Sequence, residues 1–184
     1  MLVILTGPEI QRQVGAGRII IDPFRPEQVR PNSYDFALGT RIAGYDDEVL
    51  DVSVKNRSWQ QEIGPDGFVL WPGRIYLGHT VEVMGSDYYV PIIRARSSIA
   101  RLGLFIHVTA DLIDIGSINQ WTLQLFAVQP LRIYANMVVG QVTFWQTQGR
   151  IELYEGKYQG SRGPTPSLSY HDFATTKPAS VAKS

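Results

Sequence analysis

The sequence predicts a mainly β fold, an antiparallel sandwich or barrel that opens with one short helix. Short runs rich in β-branched and aromatic residues recur from residue 33 to residue 148, and Gly, Pro, Asn or Asp separates most of them. Helical spacing is sustained only near the start of the chain. A length of 184 residues, 44% of them hydrophobic, suits one domain that buries its own core.

Taken in order, residues 6–15 read as the helix: Thr6 is placed to cap it, Pro8 lies in the first turn, and Ile10 and Val14 share a face before the glycines stop it. A short β-branched run at 18–22 and a Pro-punctuated loop to Pro31 follow. Strands are then expected at 34–38, 41–43, 68–70, 74–80, 90–96, 105–109, 121–126, 131–134 and 140–145, with one helical turn at 98–102. Residues 46–66 carry six Asp or Glu and read as a solvated insert. The domain is expected to span residues 1–173, and residues 174–184, small, polar and weakly basic, read as a disordered tail.

Charge and composition exclude several classes of function. Lys+Arg and Asp+Glu both number 17, so bulk attraction to nucleic acid or to an anionic membrane is not expected, although a local cationic pocket is compatible with the balance. The chain has no cysteine, which removes disulfides, thiol nucleophiles, Fe–S clusters and Cys-ligated zinc, the zinc nucleobase deaminases included. The apolar start before Pro8 is too short for a signal sequence, and no apolar run approaches the roughly 20 residues of a membrane helix. A soluble, cytoplasmic protein is expected.

Four places carry residue types suited to chemistry. Arg94, Arg96 and Arg101, with Ser97 and Ser98, gather guanidinium groups and hydroxyls where a strand gives way to a turn. Forked planar donors and hydroxyls are what phosphate recognition uses; a solvated turn with surface arginines has the same composition. Asp111 and Asp114 follow an apolar strand, and Asp114-Ile115-Gly116 reads as a turn whose Asp bonds its own backbone, or as the seat of a catalytic base. Gln124 reads as a satisfied core amide and His107 as a packed, hydrogen-bonded core histidine, while His79 and His171 lack partners at metal spacing, so no metal cage is expected. Residues 154–164 mix Gly, aromatic and basic residues, as a linker does or a flap that closes over an anionic ligand.

Several motifs, in consistent order from about residue 6 to residue 170, resemble the deoxycytidine triphosphate (dCTP) deaminase family, a branch of the trimeric dUTPase-like superfamily. They are Pro31-Asn32-Ser33-Tyr34-Asp35 with Leu38-Gly39; Leu70, Pro72-Gly73, Leu77-Gly78, Thr80 and Glu82; Arg96-Ser97-Ser98-Ile99-Ala100-Arg101-Leu102-Gly103-Leu104; His107-Val108-Thr109-Ala110; Gly140-Gln141; and Lys157-Tyr158-Gln159-Gly160. The resemblance implies a distorted antiparallel β-barrel of the dUTPase-like (β-clip) kind with a C-terminal flap. It also implies a homotrimer with nucleotide sites between subunits, Mg2+ carried on the triphosphate, and deamination without zinc. By position it implies that Arg96, Ser97, Ser98, Ile99, Ala100 and Arg101 bind the triphosphate, with Ser97 and Arg101 also holding the attacking water. Asp114 would meet the sugar hydroxyl, Thr122, Leu123 and Gln124 would flank the pyrimidine, and Tyr154, Lys157 and Ser161 belong to the flap.

The chain departs from the family pattern at four of these places. Ser117 stands at an aromatic position, Asn119 at a glycine, Gln124 at the catalytic glutamate and Ser161 at a flap glutamine. The change at 124 bears on mechanism, because a carboxylate relays a proton between water and the base whereas an amide only hydrogen-bonds. The expected function is hydrolytic deamination of dCTP to dUTP and ammonia, supplying dUTP for thymidylate synthesis, impaired by Gln124. The alternatives are a deoxynucleotide-binding homologue that senses or regulates, and a dUTP diphosphatase in which Asp114 activates water at the α-phosphate.

Overall fold

The computed structural model describes residues 3–174; the expected tail lies, beyond residue 174, outside the described residues. In chain order the elements are α1 (Gly7–Gly15), β1 (Ile20–Asp22), a 3-10 turn (Pro26–Gln28), β2 (Val29–Arg30), β3 (Ser33–Ala37), β4 (Arg41–Tyr45), β5 (Ser58–Glu62), β6 (Phe68–Leu70), β7 (Tyr76–Gly85), β8 (Tyr89–Ala95), α2 (Ser97–Ala100), β9 (Leu104–Phe105), β10 (Asn119–Ala127), β11 (Leu131–Ile133), β12 (Val138–Gln146) and α3 (Tyr170–Ala174). The mainly β, antiparallel character read from the sequence is what the chain adopts. One sheet runs β5-β4-β7-β10-β9, with β1 also paired to β7; a second runs β2-β3-β12-β8; β11 and β6 form a small third. The sheets do not close into one ring of ladder hydrogen bonds.

Both large sheets feed one core. Phe36, Ile93, Val142 and Phe144 come from the second sheet, and Ile42, Met84, Leu123 and Leu125 from the first; all are at most 1% exposed. Alternation sends every second side chain of a strand to this core, which is why the β10 pattern of burial repeats with period two. Gly39 shows how tightly β3 meets β7: a Cβ there would lie 2.0 Å from the His79 ring. His79 donates from Nδ1 to the Thr80 carbonyl at 2.8 Å and accepts the Arg41 N–H at Nε2, and burial keeps its pKa below the ordinary value. Nearby, burial pushes the Glu82 carboxyl up; Oε2 accepts the Ala37 N–H at 3.1 Å, while Oε1 has no partner.

The differences from expectation have local causes. Thr6 precedes α1, but its hydroxyl caps nothing; the Gly7 N–H goes instead to the Pro31 carbonyl at 2.8 Å. The segment read as a solvated insert contains β5, an edge strand whose exposed side chains hide its period; only Trp59 is half-buried, beside Phe68 and Tyr76. Strand β9 stops at Phe105 rather than running to 109, because beyond it the Val108 N–H turns to the Gln124 side chain.

Candidate active site

Strand β10 is the scaffold. Its alternation buries Trp121, Leu123 and Leu125 and turns Gln120, Thr122 and Gln124 outward. The outward row lines a cavity of about 970 Å³, within the range of small-molecule sites. Asp114, Thr122, Gln124, Tyr154 and Ser161 converge on it from three separate parts of the chain. Leu123 does not: its side chain is in the core and its backbone is paired with Gly78.

The cavity is acidic. Asp46, Asp47, Glu48 and Asp114 line it against a single arginine, Arg74. Asp47 is held charged, its pKa lowered by the Arg57 backbone N–H and guanidinium. Such a lining suits a base and sugar and repels a polyphosphate.

Asp114 opens a turn in which the Ser117 N–H bonds its carbonyl at 3.1 Å and Gly116 takes φ 87°. The turn is as expected, but the carboxylate is exposed toward the cavity and makes no hydrogen bond to its own backbone. Gln124 is half-buried rather than a core amide; its Oε1 accepts the Val108 N–H at 3.3 Å, and the residue lines the cavity. His107 is half-buried and its Nδ1 is enclosed without a partner, contrary to the hydrogen-bonded histidine expected. Burial lowers its pKa, against an opposing pull from Asp111, so the ring is favoured neutral.

The C-terminal segment is docked across the mouth of the cavity. At alternate residues its N–H groups are taken by β10 side chains: Ser161 by Asn119 Oδ1 at 3.0 Å, Gly163 by Gln120 Oε1 at 2.8 Å, and Thr165 by Thr122 Oγ1 at 3.0 Å. Gln159 grips the turn, donating to the Gly116 carbonyl at 2.7 Å and accepting the Ile118 N–H at 3.2 Å. Three of the four motif departures touch one another here. Asn119 Nδ2 donates to Ser117 Oγ at 2.8 Å, and its Oδ1 receives the Ser161 N–H. Lys157 lies outside the lining and is ion-paired with Asp172, which raises its pKa.

Residues 96–101 are elsewhere. Arg96 follows β8 and is half-buried; Ser97, Ser98, Ala100 and Arg101 are exposed, Ile99 is half-buried, and none of the six lines the cavity. Arg94 is paired with Asp111 at 3.5 Å and Arg96 approaches Asp35 at 3.7 Å. Large apolar side chains stand exposed beside this segment: Leu102 at 49%, Phe105 at 51% and Val128 at 56%.

Sequence reasoning missed Tyr45, Trp59, Arg74 and Tyr158 as cavity-lining residues. The aromatic residues flanking the acidic stretch were the available signal. Tyr45 accepts the Ser167 N–H and Tyr158 the Leu168 N–H, so both also hold the C-terminal segment.

Comparison with known proteins identifies the family. Residues 4–147 match the family model described as dCTP deaminase-like. A protein of Clostridium beijerinckii named "dCTP deaminase, dUMP-forming" is 43% identical over 172 residues, covering 93% of this chain and 99% of its own length. One of the same name from Clostridium botulinum (strain Alaska E43) is 44% identical with the same coverage. Among solved structures, the 2'-deoxycytidine 5'-triphosphate deaminase of Agrobacterium tumefaciens superposes with a TM-score of 0.63 at 18% identity, covering 79% of this chain and 48% of that one, a likeness of fold. The fold is that of a solved nucleotide deaminase, and the family follows from the sequence match. The chain belongs to the dCTP deaminase-like family, whose matched relatives are enzymes.

Proposed function

We propose that this protein binds dCTP and deaminates it hydrolytically, with dUMP rather than dUTP as the final product. The observation that carries the binding is the convergence of Asp114, Thr122, Gln124, Tyr154 and Ser161 on one acidic cavity, sized for a nucleoside. The name of the matched relatives supports dUMP, which requires loss of pyrophosphate as well as ammonia. That second hydrolysis gives the exposed Asp114 carboxylate a task at the α-phosphate.

The triphosphate is met by Arg96, Ser97, Ser98 and Arg101 of a second copy. In one chain these residues lie outside the cavity, and the exposed apolar side chains beside them favour burial against a neighbour. A homotrimer with shared sites satisfies both facts. Arg side chains only donate and suit phosphate oxygens rather than a cation, so Mg2+ would ride on the nucleotide and neutralise its charge. Within the base site Gln124 bonds the pyrimidine but offers no proton relay, so deamination is slow relative to a carboxylate-bearing site. No helix among the described residues is long and apolar enough to cross a membrane, and we place the enzyme with the nucleotide pool of the cytoplasm.

Gln124 also favours a second reading, a nucleotide-binding regulator without turnover. Incubation with dCTP, dUTP and dCMP plus Mg2+, with ammonia and pyrophosphate measured separately, decides between them. Both products from dCTP are expected. Pyrophosphate from dUTP alone would leave a diphosphatase, and binding without either product would leave the regulator.

A further inference from the structure

The motif residue Asp35 has no part in the cavity, yet it is a carboxylate with no exposed surface on β3. A buried carboxylate needs a counter-charge, and this one faces two. Arg30 Nε donates to Oδ2 at 2.6 Å, whereas Arg96 Nε stands 3.7 Å from the same oxygen, beyond hydrogen-bond length. Gln141 Nε2 meets Oδ1 at 3.4 Å. Both arginine side chains remain partly open to solvent, 41% for Arg30 and 37% for Arg96. Two cations on one carboxylate leave a local charge of +1 in a chain of zero net charge. The distances assign the neutralising work to Arg30 and the surplus charge to Arg96.

We infer that Arg30 is a positioning residue for polyphosphate binding: it holds the buried Asp35 so that Arg96 stays available to the phosphates of a nucleotide. Nothing in the motif pattern gives Arg30 a role; it acts through Arg96 and need not touch the ligand. Without it, Asp35 draws Arg96 inward and cancels the charge that the ligand requires. The inference rests on the assignment of residues 96–101 to the triphosphate, and the variants separate the two.

The experiment is calorimetry of dCTP with Mg2+ and, separately, of inorganic pyrophosphate, on the full chain and on Arg30→Ala, Arg30→Lys, Arg96→Ala and the double variant Arg30→Ala/Asp35→Asn. Arg96→Ala and Arg30→Ala are each expected to weaken both ligands about tenfold, the scale of one charged hydrogen bond. Arg30→Lys should stay near the parent, and the double variant should recover much of the loss, because a neutral residue 35 no longer captures Arg96. Should the double variant not fold, the contrast of Arg30→Ala with Arg30→Lys decides. Weakening by Arg96→Ala with full affinity in Arg30→Ala overturns the role of Arg30 alone. Equal weakening in Arg30→Ala, Arg30→Lys and the double variant marks a merely structural residue and also overturns it. Full affinity in Arg96→Ala removes the triphosphate assignment and the inference with it.

Discussion

Between residues 114 and 124 the backbone is tied down at almost every step: a glycine turn, a side-chain grip from Gln159, and three β10 side chains holding the C-terminal segment. Between residues 96 and 101 the chain makes a four-residue helix whose serines, like Arg101 just after it, face solvent. The first region is completed by contacts within one chain and is acidic; the second is cationic and open. A preorganised pocket can set the orientation of a base, while exposed guanidinium groups supply charge and gain strength only once a neighbour or ligand excludes water. Under the proposed function, the contrast puts selectivity for the pyrimidine within each chain and makes affinity for phosphate depend on what covers the arginines.

The sharpest way to break this comparison is to restore a carboxylate in the enclosed half. Gln124→Glu is expected to raise ammonia release from dCTP by about 10²–10⁴-fold, the usual contribution of one acid–base group. An unchanged rate would place the defect in other groups of the site. In the open half, Arg101→Ala is expected to weaken nucleotide binding about 10–100-fold through loss of charge-assisted bonds, with little change in thermal stability because the side chain is exposed. Calorimetry and a melting curve on the same samples test both statements. A smaller effect is expected from Asn119→Ala, which leaves the Ser117 hydroxyl and the Ser161 N–H without their partner. Its cost is about 1–3 kcal/mol, read as a lower melting temperature and faster hydrogen exchange over residues 161–165. Unaltered exchange there would show that the C-terminal segment is held by its other contacts.

Fold class and most strands were legible because short β-branched and aromatic runs recur, and core-facing residues alternate along much of β8, β10 and β12. Strand β5 was not, since an edge strand with one half-buried tryptophan carries no period. Of the residues assigned to the nucleotide, Asp114, Thr122, Gln124, Tyr154 and Ser161 are brought together, because a strand and the segment crossing it place them on one face. The acidic wall from Asp46 to Glu48 was not legible: linear charge alone does not distinguish a solvated loop from a loop folded over a pocket. The pairing of Arg30 with Asp35 was equally hidden, being a matter of distance between side chains on neighbouring strands.

Ser117, Asn119 and Ser161 form one chain of bonds although 44 positions separate the first from the last. They are therefore coupled through their hydrogen bonds. An exchange at one of them alone strands a polar group in a nearly closed space, while exchange of all three together can pass from one self-consistent arrangement to another. For anyone grafting loops between members of this lineage, the turn and the C-terminal segment are one cassette.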